Sequence, residues 1–102
     1  MTDQPTDPLQ LELNAKIAGA RANLVQTRAD TAKLVDTLAS HKASPPRRGE
    51  YPTPAIWRLA RSEHSTFCRQ LKRDIADRRA ATAYYEGLLD MADGAAELGL
   101  AQ

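Results

Sequence analysis

Between Ser44 and Pro54 four of eleven residues are proline (Pro45, Pro46, Pro52 and Pro54), and no helix can pass through them. Proline lacks the N–H that a helix interior uses and drives the residue before it toward extended backbone. The stretch therefore has to be a bend, and it leaves two long segments whose apolar residues recur at helical spacing. The sequence predicts an all-α chain: a long antiparallel two-helix hairpin, coiled-coil-like and completed by oligomerisation. Its expected parts are an N-terminal arm 1–8, helix 1 over 9–42, a Pro/Arg-rich bend 43–54, helix 2 over 55–93 and a tail 94–102. At this length they make one domain.

Helix 1 opens at Asp7-Pro8, an N-cap followed by proline at the first helical position. Steps of four and three from Leu13 pass through Ile17, Ala20, Leu24, Thr27, Thr31, Leu34, Leu38 and His41, a heptad seam with a layer of two threonines at its middle. Helix 2 opens in the same way at Thr53-Pro54. Its seam is rougher: Ile56, Ala60, His64, Phe67, Leu71, Ile75, then Tyr85, Leu88 or Leu89, and Ala92. Gly87 costs about 1 kcal/mol without ending the helix, so the first strong breaker is Gly94. Asp74 and Arg78, and likewise Arg73 and Asp77, stand at the spacing of surface ion pairs.

A fold made at Arg47-Arg48 sets an expected register: Leu38 near Trp57, Leu24 near Leu71, and Leu9 near Glu86. Residues 87–102 then overhang helix 1 and expose Leu88, Leu89, Met91, Leu98 and Leu100. Two helices sharing one seam are marginal alone, because tertiary packing supplies most helical stability. Tyr84, Tyr85, Leu88, Leu89 and Met91 are thus the expected oligomer or partner contact. Alanine dominates the apolar content, and an enzyme core with a pocket is hard to build from such small side chains.

The formal net charge of +1 conceals segregation. Residues 1–41 sum to −1, residues 42–80 to +6 and residues 81–102 to −4, the last with no basic group at all. Arg47, Arg48, Arg58, Arg61, Arg69, Lys72, Arg73 and Arg79 form the expected basic partner surface, and those on helix 2 share about a third of its circumference. Such a stripe suits an acidic protein or nucleic acid, or it is a solvated face with local ion pairs. The basic bend and acidic far end are also complementary between copies, which favours head-to-tail or antiparallel assembly.

Site chemistry is sparse. His64 and Cys68 stand one turn apart, a spacing that can present two metal ligands, but a structural zinc site needs four. The expected register leaves His41 two to three turns away. Cys68 has His64 in reach yet no evident third group or oxyanion donor. No Gly-rich phosphate loop and no paired carboxylates occur, so neither catalysis nor a cofactor or metal is expected.

The stretch Ile56-Trp57-Arg58-Leu59-Ala60-Arg61-Ser62-Glu63-His64-Ser65-Thr66-Phe67-Cys68-Arg69-Gln70-Leu71 resembles a helix-turn-helix DNA reader, with Ser-Thr-Phe-Cys-Arg placed like the start of a recognition helix. Trp57 stands where that family has a small residue, Arg61 where its turn has glycine, and Ser62 replaces the apolar residue that follows. The resemblance implies a small nucleic-acid-binding regulator using 56–73. Trp57 itself reads either as a buried cap on the seam or as an exposed anchor flanked by arginines.

No run approaches the roughly 18 apolar residues of a membrane span. The acidic, polar start of the chain is unlike a secretory or transit peptide, and a single cysteine fits a reducing compartment. The expectation is a non-enzymatic protein, cytoplasmic or within an assembled particle, with no membrane and no small-molecule substrate. It works by assembling with itself or with a larger complex; a viral or mobile-element assembly suits this plan.

Overall fold

The computed structural model describes residues 7–97. Helix α1 spans Pro8–Ala43, a 3-10 turn spans Arg48–Glu50, and helix α2 spans Pro54–Glu97. Both starts are capped as the sequence predicts. The Asp7 carboxylate accepts from the Leu9 N–H at 3.1 Å, with Pro8 in the first turn. The Thr53 hydroxyl accepts from the Ile56 N–H at 3.2 Å, with Pro54 next in the chain. Each cap satisfies one of the donors that a helix start leaves unpaired. α2 continues through Gly94 to Glu97, further than expected, and Gly94 does not adopt the left-handed backbone of a helix stop. Leu98 and Leu100 lie outside the described residues.

The molecule measures 79 × 25 × 16 Å. A helix with its side chains is about 10–12 Å across, so these dimensions hold two helices side by side and no second layer. The hairpin is therefore all seam and no enclosed core. Among the described residues Ala20, Leu24, Cys68, Leu71 and Ile75 are the buried apolar ones, joined by Thr27, and no large side chain is fully enclosed. Among the described residues no helix is long and apolar enough to cross a membrane.

The register differs from the expected one. Thr27 faces Thr82, Arg28 faces Glu86, and His41 faces Phe67. Glu86 thus lies beside Arg28 and not beside Leu9. By the same offset Leu38 and Leu34 are level with the buried Leu71 and Ile75, and Leu24 is level with Tyr85. Residues 87–97 run alongside the N-terminal half of α1 and do not overhang it. The physical cause is the bend. Trp57 donates its indole N–H to the Pro46 carbonyl at 3.0 Å, which folds the proline segment back onto α2. The first turns of α2 consequently ride past the end of α1, by about 16 Å at 1.5 Å per residue. The projecting end is at the bend.

Candidate functional site

At 100° per residue, with the cross-helix contacts fixing which sides meet, the hairpin has two unlike faces. His41 and Phe67 meet on one of them, with ring centroids 4.6 Å apart and edge-on. That side of α2 carries Ile56, Leu59, Phe67, Tyr84, Tyr85, Leu88 and, furthest from α1, Met91. Phe67 is 44% exposed, Leu88 38% and Met91 73%, so a row of large apolar groups stands in water. Tyr84 and Tyr85 pack edge to face at 5.4 Å. Of the anticipated anchors, Tyr85 and Leu89 are half-buried and turned toward α1, while Tyr84, Leu88 and Met91 point outward. Gln70, Asp74 and Asp77 divide the row into a bend-end patch and a far-end patch.

Arg28 and Glu86 meet on the opposite face, 3.7 Å apart. Here α2 presents Arg58, Arg61, Arg69, Lys72 and Arg79, with Arg73 at the stripe's edge directly away from α1. The local ion pairs anticipated for this helix are not made. Asp74 instead accepts from the Gln70 amide at 3.0 Å, and the ion pairs within 4.0 Å among the described residues are Arg28–Glu86 and Lys16–Glu12. Arg47 and Arg48 are exposed on the bend. Arg61 lies over the Trp57 ring, 5.2 Å from its centroid. Trp57 is half-buried and pinned by its N–H to Pro46, so it caps the bend and not Leu38, the residue expected beneath it.

The groups with chemistry converge more than the sequence suggests. The observed register brings the His41 ring to 6.0 Å from that of His64, where two to three turns of separation were anticipated. His64 Nε2 is 3.8 Å from Cys68 Sγ. Among the described residues no three His, Cys, Asp or Glu side chains are placed to share a metal ion. His41 packs on Phe67, and Cys68 is buried in the seam. These residues fill the interface between the helices near the bend.

No turn interrupts α2 between Arg61 and Ser65. The segment resembling a helix-turn-helix reader is one continuous helical run, and it has no first helix for a recognition helix to pack against. Comparison with protein-family models, curated proteins and solved structures finds nothing that matches this chain.

Proposed function

We propose that this protein is a non-enzymatic helical assembly unit, and that the occupant of its apolar flank is a second copy of the same chain. The observation that carries the reading is the imbalance between seam and flank. Leu24, Leu71 and Ile75 are the large aliphatic side chains buried in the hairpin, each contributing roughly 1.5–3 kcal/mol. Outside the seam, Ile56, Leu59, Phe67, Tyr84, Leu88 and Met91 remain exposed along one side of one helix. Two exposed apolar patches in line along one helix mark an interaction site.

Charge supports a second copy and sets its direction. Pairing α2 antiparallel against the partner's α2 lays the bend-end patch on the partner's far-end patch. The two-fold axis then passes near Ile75, and Arg73 and Arg78 come level with the partner's Asp77 and Asp74. Those are the acidic and basic groups that make no pair within their own helix. The basic bend half also comes level with the partner's acidic far half, which favours this antiparallel direction through long-range attraction. The product is a four-helix body, suited to a structural or accessory role in a larger complex.

Sedimentation velocity at low and high salt tests this. The expected species has twice the chain mass of 11.2 kDa, and Phe67→Glu with Leu88→Glu converts it to a helical monomer. A folded wild-type monomer at all accessible concentrations sinks the reading.

A further inference from the structure

On the basic face the first half of α2 holds an open groove of about 390 Å³, lined by Trp57, Arg58, Arg61, Ser62, Ser65 and Arg69. Every charged group in that lining is cationic, and both serines add hydroxyl donors. Among the described residues no carboxylate lies within 4.0 Å of its three guanidinium groups. The arginines are also pre-positioned. Arg61 lies over the Trp57 ring, which is itself held by the bond to Pro46. A cation held over an aromatic face is steadied there and keeps its N–H groups available to donate. Arg58 is steadied by the Pro54 carbonyl at 3.4 Å and Arg69 by the Thr66 hydroxyl at 3.3 Å. Lys72 and Arg79 continue the row, so cations extend about 32 Å along one continuous helix at 1.5 Å per residue.

We propose that this face binds nucleic acid through the phosphate backbone, without reading bases. A duplex makes about one turn over this length, so a row of cations laid along it crosses both backbones and comes within reach of several phosphates. The guanidinium fork matches two phosphate oxygens at once. The side chains lining the groove offer hydrogen-bond donors and no carboxylate, which suits an all-acceptor phosphodiester backbone, whereas an acidic protein surface interleaves its carboxylates with donors of its own. Trp57, pinned on one edge and covered by Arg61, is not free to stack on a base. The face lies opposite the Phe67–Leu88 flank, so it is engaged independently of any second copy.

The test is fluorescence anisotropy of a labelled DNA duplex of arbitrary sequence, titrated with the full chain at about 50 and about 200 mM NaCl. Five phosphate contacts (Arg58, Arg61, Arg69, Lys72 and Arg79) give an expected log–log salt slope near −4.5, a loss of about 500-fold between those conditions. Arg61→Gln with Arg69→Gln should shallow the slope by about two. Lys16→Gln with Lys33→Gln, the same change of charge elsewhere on the hairpin, should leave the slope where it is. Circular dichroism confirms that each variant keeps its helix. No binding at low salt overturns the proposal. So does an unchanged slope in the arginine variant, or displacement of the duplex by polyglutamate at equal charge.

Discussion

The hydroxyls of Thr27 and Thr82, fifty-five residues apart in the chain, meet at 3.1 Å across the seam. Thr27 is 7% exposed, the one buried polar residue among those the structure describes. Each hydroxyl also has a carbonyl within its own helix, Leu24 at 3.1 Å for Thr27 and Arg78 at 2.9 Å for Thr82. A hydroxyl has one proton, so the pair forms a relay: one threonine donates to the other, which donates to its own carbonyl. The layer forms only in this alignment of the two helices, as a buried polar pair does in a coiled coil.

Because each hydroxyl keeps a carbonyl when its partner is removed, Thr27→Val and Thr82→Val should be mild separately. A double-mutant cycle from urea melts is expected to give a coupling of about 1 kcal/mol. Coupling near zero means that the apolar neighbours alone fix the register.

The bend depends on a single indole. Trp57→Phe keeps an aromatic ring under Arg61 but removes the N–H bonded to the Pro46 carbonyl. The expected cost is about 1 kcal/mol, confined to one end of the molecule. Amide exchange should accelerate at Glu50 and Tyr51, whose N–H groups close the 3-10 turn onto the Arg47 and Arg48 carbonyls. Exchange around Thr27 and Ile75 should not change. Acceleration along both helices refutes a local role for the pin.

The bend and the caps were legible in the sequence because they are local. Asp7-Pro8 and Thr53-Pro54 each carry their own instruction, and four prolines exclude helix between them. The seam of α1 was legible too, since Ala20, Leu24 and Thr27 fall on the expected heptad. Register was not. It rests on Trp57 reaching back to Pro46 and on which side chains meet across the seam, and neither leaves a periodic trace in either helix alone. The same error hid the approach of His41 to His64 and misplaced Leu88 and Met91 on an overhang. Their exposure comes from which way they point around α2. The basic stripe was visible from spacing alone, but its missing carboxylate partners were not: Arg73 and Asp77 have the right separation yet make no pair.

Cys68 offers a direct measure of how tightly the hairpin closes. Its thiol is buried on the seam one turn from His64, so a thiol reagent should reach it only when the helices part. Labelling should therefore be slow in the folded protein and fast in urea. Leu71, 5% exposed, packs within a turn of it, and Leu71→Ala should cost about 2–4 kcal/mol. Converted at 1.4 kcal/mol per tenfold, labelling accelerates on the order of 30- to 700-fold. A rate that ignores this substitution places the thiol in reach without opening.

The central charges give the strictest check on how two copies meet. In the antiparallel pairing each Arg73 lies level with the partner's Asp77, and the two-fold axis repeats the contact. Exposed pairs contribute about 0.2–1 kcal/mol each. Arg73→Glu exchanges two attractions for two repulsions and should weaken the dimer about tenfold, which is 1.4 kcal/mol. Asp77→Arg should do the same. Carrying both substitutions in one chain restores both contacts with their signs reversed, so the dissociation constant should return to within about threefold of wild type at low salt. If Arg73 and Asp77 acted only within their own helix, each single change would alter helicity and leave the dimer constant unmoved. Sedimentation equilibrium of the two single variants and the double variant separates these outcomes, because intrahelical effects appear in the monomer spectrum and the intermolecular pair appears only in the mass.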